Sequence, residues 1–524
     1  MARVSRFTVA FALLCCAWIL GSLALWEPGS ESAPPLAASH RHRRAHADHW
    51  HEQEASTAAT TSNSEPSIPG APARPDSRPI SRALRAALDE FVTRHYFSHA
   101  TISSSGRYLI FHVGDDGLGN KLLPLVSAFL LALLMDRTFL LHWTGSEAIN
   151  NSPMHVDQLF TQPAGMLWGF QEAALHTIER KTQFGAAAAV TDATRAQLGA
   201  LFRQPRSVKV EHTRQFLQAF GVDFSELDFR SADYGMVKEN AMCRDWVADY
   251  ANVSALVVYG DQYFVPCLQA NAHYQQKMHA WFEGAPDIFG PLARWLLRPS
   301  AQVAAYLGNF TATHYAPYTI GMQMRRRERL GLKDPEVESA FKCARELAAA
   351  YRATHGAKAP VAFFVASDEA PFRVRVQSRL ADVGPVSFTP EFALREDPEK
   401  GLFFAVIDFL LLSRCADIIS TPSSTYGYIS HAYASIIPHR VRLMPNNGWM
   451  RPASSEPSAH FWQVSYLRLY IRTVRFASAS RPVFPLFLCI YILQPLMREA
   501  TRMCIDKKKF EFLMGQEECC PRWG

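Results

Sequence analysis

Three features that are scarce or missing narrow the kinds of protein that this chain can be. Its 524 residues include ten cysteines, which is far too few for a disulfide scaffold. The formal net charge is only +6, and much of the basic excess lies in one early run, HRHRRAH (40–46). This charge pattern lacks the broad basic surface of a nucleic-acid-binding protein, so we expect no nucleic-acid partner.

The chain also contains no Asp-x-Asp pair. In single-domain nucleotide-sugar enzymes, such a pair holds a divalent cation on the diphosphate. A nucleotide diphosphate bound by this chain would therefore be neutralised by arginine and by backbone amides. We expect neither a metal nor a cofactor.

The N-terminus predicts a membrane topology. Residues 7–26 carry no charge and are long enough to span a bilayer. Arg3 and Arg6 precede this run, and the positive-inside rule then makes residues 1–6 cytoplasmic and the rest lumenal. The alternative is a cleaved signal peptide, but the run is longer than a usual signal core and no small-x-small cleavage site is obvious.

Residues 27–80 are rich in Ser, Ala, Pro, Thr and His, and they predict a flexible stem. An anchor, a stem and a large body form the layout of a single-pass type II Golgi enzyme. Sequons at Asn150, Asn252 and Asn309 agree with a lumenal, glycosylated body.

A strand-helix-strand unit surrounds the segment GDDGLGNK (114–121). Apolar residues predict a strand at Arg107–Val113, a helix at Lys121–Met135 and a second strand at Thr138–Trp143. The glycines permit a tight turn, Asn120 can cap the helix, and free N–H groups there suit a phosphate or a sugar hydroxyl. A plain turn is the alternative.

The second half repeats this pattern. Strands are predicted at Tyr318–Arg325 and Pro360–Ala366, and helices at Pro335–Gly356, capped by Asp334, and at Val406–Cys415. A further strand, ADIIS, precedes the hydroxyl-rich loop TPSSTYG. The two series predict an α/β protein with Rossmann-like domains at 81–312 and 313–470 facing a cleft, and a tail of uncertain structure at 471–524.

Six segments resemble, in order, the plant xyloglucan fucosyltransferases. They are GLGNKLLPLVSAFLLALLMDRTFLL, VDQLFTQP, VVYGDQYFVPCL, FGPLARWLLRPSAQV, IGMQMR and LLLSRCADIISTPSSTYGYIS. The resemblance implies a GT-B fold, a GDP-fucose donor, an inverting reaction without metal and a Golgi type II location. One departure is Ser458 in SSEPSAHFW, where the family has a cysteine, and the tail has no recognised counterpart.

Arg325 and the SSTYG loop are the main candidates for binding the donor. A fixed guanidinium at Arg325 can stabilise charge that develops on the β-phosphate, although surface charge is the alternative. The loop offers hydroxyls and N–H groups ahead of a helix, either as a diphosphate cradle or as an ordinary helix cap. Its candidate residues are Ser423, Ser424, Thr425, Tyr426 and Gly427.

Further candidates for binding the donor lie outside Arg325 and the SSTYG loop. Gly117, Gly119 and Asn120 are expected to face the donor from the N-terminal domain. Asp368 could bind the guanine or the ribose, or only shape a loop.

Asp261 is the candidate for orienting or deprotonating the acceptor hydroxyl, with a turn-capping role as the alternative. Tyr263 and Phe264 could stack on acceptor sugars or belong to the core. Cys243 with Cys267, and Cys343 with Cys415, are candidate disulfides, with buried free thiols as the alternative.

Together these features predict a Golgi enzyme that transfers fucose from GDP-fucose to a galactose hydroxyl of a glycan, with an α-1,2 linkage implied by the resemblance. A different linkage or acceptor on the same scaffold, such as protein O-glycans, is one alternative. A catalytically silent glycan-binding protein is another.

Overall fold

The computed structural model describes fifteen stretches of the chain, all within one compact unit, Ser67–Gly524. They are residues 80–95, 102–113, 117–143, 156–170, 172–174, 176–177, 213–218, 220–229, 244–283, 287–326, 331–390, 397–422, 424–441, 448–452 and 454–457. The anchor and the tail lie outside these stretches, as do nearly all of the stem, Asn150, Ser423 and Ser458.

Helices and strands alternate along much of the described chain. The helices are α1 Arg82–His95, α2 Leu118–Met135, α3 Val156–Leu159, α4 Trp246–Asp249, α5 Val265–Ala270, α6 Gln275–Phe282, α7 Phe289–Leu296, α8 Ala301–His314, α9 Asp334–His355, α10 Ala370–Leu380, α11 Pro398–Ser413 and α12 Thr425–Tyr433. The strands are β1 Tyr108–His112, β2 Thr138–His142, β3 Phe160–Thr161, β4 Phe224–Phe229, β5 Ala255–Gly260, β6 Arg298–Pro299, β7 Tyr318–Met324, β8 Val361–Ser367, β9 Val386–Ser387, β10 Asp417–Ser420, β11 His439–Val441 and β12 Trp449–Met450.

The first sheet has four parallel strands in the order β2-β1-β5-β4. Strands β1, β2 and β5 are buried along their whole length, because a parallel sheet is covered on both faces. Helix α2 links β1 to β2 and is apolar on every side. It is the one described helix long and apolar enough to cross a membrane, but 94% of its apolar window is buried in the protein. It is therefore a core helix.

The second sheet has the order β12-β11-β10-β7-β8-β9, and only β12 is antiparallel. Side chains alternate between its two faces, since successive residues of a strand point to opposite sides. On β8, Phe363 and Val365 join the cluster under α9, whereas Phe364 joins the cluster that also contains α11, α12 and α2. One continuous core thus connects this face to the first sheet.

These elements confirm the predicted α/β class. The predicted strands and helices around the two sheets are present, with ends shifted by a few residues, and α11 begins eight residues earlier than expected, at Pro398. The prediction that Asp334 caps α9 is wrong. Lys333 is the cap residue, and its N–H donates to the Glu336 carboxylate at 2.6 Å, so Asp334 is already the first helical residue.

The predicted Cys343–Cys415 disulfide is also wrong. Both residues are buried free thiols, and they belong to hydrophobic clusters on different sides of the second sheet. Burial raises the pKa of each thiol to about 12. Cys243 lies outside the described residues, so its pairing with Cys267 stays a prediction. Asn252 and Asn309 are both exposed, and their glycosylation stays a prediction.

A short C-terminal segment, residues 454–457, packs into the core beside α7. The Glu456 carboxylate is buried and accepts hydrogen bonds from the Ile288 N–H at 2.8 Å, the Phe289 N–H at 3.2 Å and the Tyr263 hydroxyl. Burial raises the pKa of Glu456 from 4.5 to about 8. The Glu456 side chain therefore attaches residues 454–457 to Tyr263 and to the start of α7.

Replacing Glu456 with glutamine should change how stability depends on pH. A carboxyl whose pKa is raised in the folded state favours folding fully at pH values below its unfolded pKa, and this contribution is lost as pH rises through the folded pKa. The wild-type free energy of unfolding should therefore contain a decline between pH 4.5 and about 8 that Glu456→Gln lacks. Denaturant unfolding of both proteins across this range measures the difference, and parallel curves would contradict the prediction.

Candidate active site

Arg325 and Asp368, two of the predicted donor-binding residues, follow neighbouring parallel strands at their carboxyl ends. Strands β10, β7 and β8 lie side by side, and they are followed by Thr421, Arg325 and Asp368 respectively. In an open parallel sheet, ligands bind at this edge. The topology therefore brings together residues that lie far apart in the sequence.

Arg325 is anchored through its backbone. Its N–H donates to the Thr421 hydroxyl at 3.0 Å, and that hydroxyl donates to the Gln323 carbonyl at 2.9 Å. The side chain of Arg325 is half-buried at the end of β7. The backbone from which the Arg325 side chain extends is thus fixed relative to the loop that precedes α12.

Helix α12 begins in the SSTYG loop. Two side chains of this loop form hydrogen bonds within the protein, whereas backbone N–H groups of the first turn can bind a ligand. Ser424 is the cap residue, and its hydroxyl accepts from the Gly427 N–H at 3.4 Å, which confirms the capping alternative for this serine. The Tyr426 hydroxyl donates to the Ala405 carbonyl at 2.6 Å, so this side chain fastens α12 to α11. The N–H groups of the first turn, at Thr425 and Tyr426, have no partner further back in the helix and can receive an anion.

At Gly119, the start of α2 comes close to the first turn of α12. A Cβ atom at this position would lie 2.5 Å from the Thr425 carbonyl carbon and 2.7 Å from the Tyr426 nitrogen. Only glycine permits this approach, because backbone atoms of a packed helix cannot move aside cheaply. The glycine loop and the hydroxyl-rich loop predicted from the sequence are therefore in direct contact.

The prediction that Asn120 caps α2 is wrong. Gly117, not Asn120, is the cap residue of α2, with a φ of −62° that any residue adopts. Asn120 lies in the first turn of the helix, and its side-chain oxygen is buried without a hydrogen-bond partner among the described residues. A buried acceptor of this kind is costly, which makes it suited to a hydroxyl of a bound ligand.

Asp368 has a structural contact. Its carboxylate accepts from the Arg326 N–H at 2.7 Å. The Arg326 guanidinium donates to Glu369 and Asp334, each at 3.3 Å, and to the Leu332 carbonyl at 2.5 Å. Arg326 therefore stabilises the loop, whereas Asp368 is exposed at the strand edge and remains a candidate for contacting a ligand.

The acceptor residues are only partly supported. Asp261 follows β5 at the carboxyl edge of the first sheet and is half-buried. The acceptor role predicted for Tyr263 and Phe264 is wrong, because the first is 3% exposed and the second 0%. Tyr263 donates to Glu456, and Phe264 stacks on Phe229 with ring centroids 3.9 Å apart.

Gln323 is a residue of the site that sequence reasoning missed. Its buried side chain donates to the Ser424 hydroxyl at 3.1 Å and accepts from the Thr421 N–H at 3.2 Å. A Cβ on Gly427 would lie 2.7 Å from its amide oxygen. A long polar side chain that interrupts the apolar run of β7, two positions before Arg325, was the available signal.

Taken together, these contacts define an α/β protein whose two sheets present an arginine, a helix N-terminus and a glycine loop at one place. The family model for xyloglucan fucosyltransferase matches residues 89–330. The chain is 25% identical over 391 residues to a probable fucosyltransferase 9 of Arabidopsis thaliana, covering 68% of each protein. It is 26% identical over 222 residues to a galactoside 2-alpha-L-fucosyltransferase of the same plant, covering 42% of this chain and 35% of that protein.

A solved structure shows the same fold. It is an arginine-to-lysine mutant of Arabidopsis thaliana FUT1 in complex with GDP, with a TM-score of 0.50 and 20% identity over 72% of this chain and 84% of that one. The chain is thus similar to plant fucosyltransferases in sequence, and its residues 89–330 match the xyloglucan fucosyltransferase family model.

Alanine at Gly119 should disturb the contact between α2 and α12. The added Cβ has no room beside Thr425 and Tyr426, so we expect a loss of about 1–3 kcal/mol in the free energy of unfolding and weaker GDP binding. Gly308→Ala on α8 is the matched control, since a Cβ there meets nothing within 4 Å. Denaturant unfolding and calorimetric GDP titration of both variants test this, and equal behaviour of the two would contradict it.

Leucine at Gln323 should impair activity more than its effect on stability explains. The change leaves Ser424 without its amide donor, costs about 1–3 kcal/mol of stability, and should lower transfer about tenfold or more through misplacement of the loop. Thr319→Val is the control, because Thr319 is equally buried on the same strand but bonds Ala316 at the opposite end.

The measurement is kcat and KM beside the melting temperature for both variants. An equal loss of kcat in the two, at equal loss of stability, would show that Gln323 acts only on folding.

Proposed function

We propose that the chain transfers L-fucose from GDP-fucose to a galactose hydroxyl of a glycan, with inversion at the anomeric carbon, an α-1,2 linkage and no metal. Similarity to plant fucosyltransferases supports the donor and the reaction class. The observation that carries the proposal is the convergence of Arg325, the first turn of α12 and Gly119 at one sheet edge.

The diphosphate is proposed to bind at the start of α12. The N–H groups at Thr425 and Tyr426 and the positive end of the helix favour an anion there. Gly119 lets the backbone of the first sheet come close to the same groups. Gly117 is exposed with open space around its Cβ position, so a sugar or phosphate can approach the backbone.

The reaction is a single displacement. An oxygen of the acceptor galactose attacks C1 of fucose from the side opposite to the phosphate, and the bond from C1 to the β-phosphate oxygen breaks. The electron pair of that bond stays on GDP, and a guanidinium at Arg325 stabilises the charge as it develops. The proton of the attacking hydroxyl leaves to a nearby base or to water.

Asp261 is the residue proposed to receive or orient that proton. It stands at the carboxyl edge of the first sheet, the same edge at which the turn into α2 begins. A carboxylate at this position can accept a hydrogen bond from the acceptor hydroxyl. Asp368, at the end of β8, is proposed to bind the guanine or the ribose, which places the base on the β8 side of Arg325.

The location is proposed from the sequence. An uncharged run at 7–26 after two arginines, and a stem rich in Pro and Ser, support a single-pass type II protein of the Golgi membrane with its body in the lumen.

Removal of the Arg325 guanidinium should abolish most of the fucose transfer. The wild-type enzyme should be active without a divalent metal ion. The test supplies the full-length chain in detergent with GDP-fucose, EDTA and a panel of β-galactoside acceptors. We expect wild-type GDP release in EDTA, and a loss of about a hundredfold to a thousandfold in kcat for Arg325→Ala.

The control is Arg345→Ala, whose guanidinium pairs with Asp382 on the exposed side of α9 and should leave kcat unchanged. Wild-type activity that requires a divalent cation would contradict the metal-free reaction. Absence of both GDP release and GDP binding would contradict the donor assignment.

A further inference from the structure

Arg440 on β11 carries a buried guanidinium that finds no hydrogen-bond acceptor for two of its nitrogens within the described part of the chain. The residue is 3% exposed, and its Nε and Nη2 atoms are buried with no hydrogen-bond partner among the described residues. Its guanidinium carbon lies 5.9 Å from the centroid of the Tyr428 ring. The buried imidazole of His431 is also near, and burial together with the charge of Arg440 lowers the pKa of that imidazole. Burying a charge without a partner is costly, so such a group is rare unless something compensates it.

Arg137, another buried arginine of this protein, shows how such a charge is usually compensated by hydrogen bonds. It is 2% exposed, and its guanidinium donates to the carbonyls of Tyr108 at 3.3 Å, Ser254 at 3.2 Å and Tyr250 at 2.7 Å. Burial lowers the pKa of both arginines to about 10. The two residues therefore carry a similar desolvation penalty, but only Arg137 has hydrogen bonds that offset it.

Arg440 lies beneath the first turn of α12. Ser420, at the end of β10, is its partner in the strand register, so both side chains point to the same face of the sheet. The Ser420 Cβ lies 3.4 Å from where a Cβ on Gly427 would be, which fixes that face as the one under α12. Tyr428, whose ring lies against Arg440, is the fourth residue of α12 and therefore belongs to its first turn.

Ser420 adds a second polar group there. Its hydroxyl is buried and has no partner among the described residues. A guanidinium and a hydroxyl, neither with a hydrogen-bond partner in the stretches that the structure describes, thus share the sheet face under the N-terminus of a nine-residue helix. Guanidinium, hydroxyl and helix N-terminus all favour a phosphate.

We propose that Arg440 is a second cation of the donor site, whose counter-ion is the diphosphate bound at the first turn of α12. This assignment rests on the proposed function. It adds a binding residue from β11, which is separate from both the SSTYG loop and the strand β7 that precedes Arg325. The stability that the unpaired charge costs is recovered when the nucleotide binds.

The assignment predicts that removing the Arg440 charge raises the melting temperature but weakens GDP binding. Arg440→Met removes the uncompensated charge at similar volume, so the melting temperature of the full-length chain in detergent without nucleotide should rise by about 2 °C. GDP affinity, measured by calorimetry in EDTA, should fall about tenfold or more, since a charge-assisted contact is lost. Arg440→Lys keeps the charge and should lose less affinity than the methionine variant.

Arg137→Met is the matched control. It should lower the melting temperature, because three carbonyls lose their donor, and should leave GDP affinity unchanged. If wild type binds GDP and Arg440→Met binds it equally well, or melts lower or fails to fold, Arg440 is structural and the inference is wrong. If wild type itself does not bind GDP, the proposed function fails first, and this assignment fails with it.

Discussion

The site depends on one close approach between backbones. At Gly119 the start of α2 lies so near the first turn of α12 that a single added carbon would meet Thr425 and Tyr426 at less than 3 Å. This contact joins the glycine loop of the first sheet to the helix that follows β10 in the second. The apolar residues of α2, α11 and α12 share one core, so the contact is held from both sides.

Around this contact, polar groups are placed by a few buried hydrogen bonds. Gln323 links the strand that carries Arg325 to the loop that begins α12, and the Thr421 hydroxyl links both to the Arg325 backbone. Such groups are expensive to bury unless their partners are in place, so they hold one geometry of the loop. A site held in this way can present cationic and N–H groups to an anion without reorganisation, which is what stabilisation of a leaving diphosphate requires.

Much of the fold follows from local sequence. The apolar runs of β1, β2, β7 and β8 are long enough and clear enough to be recognised as buried parallel strands, and Rossmann-like topology then places Arg325 and the SSTYG loop at one edge. The contact between that loop and the glycine loop was expected only as a shared site. Its closeness depends on how two sheets pack, and no residue near Gly119 in the sequence records it.

The errors have the same origin. Tyr263 and Phe264 look like exposed acceptor residues because they follow Asp261 in a strand-edge loop, but Tyr263 donates to Glu456, 193 positions later, and Phe264 stacks on Phe229. Cys343 and Cys415 look like a pair, but the sheet separates them into different clusters. Gln323 was overlooked because its partners Thr421 and Ser424 are about a hundred positions away. Each case turns on a long-range contact that periodicity and spacing do not encode.

The central claim is that loops from both sheets form a single nucleotide site. Hydrogen–deuterium exchange of the full-length chain with and without GDP tests it most directly. The account predicts that GDP slows exchange together at the start of α2, at Arg325 and in the first turn of α12, and leaves the amides at the start of β2 unchanged. Protection confined to the second sheet, or none at any of the three segments, would contradict it.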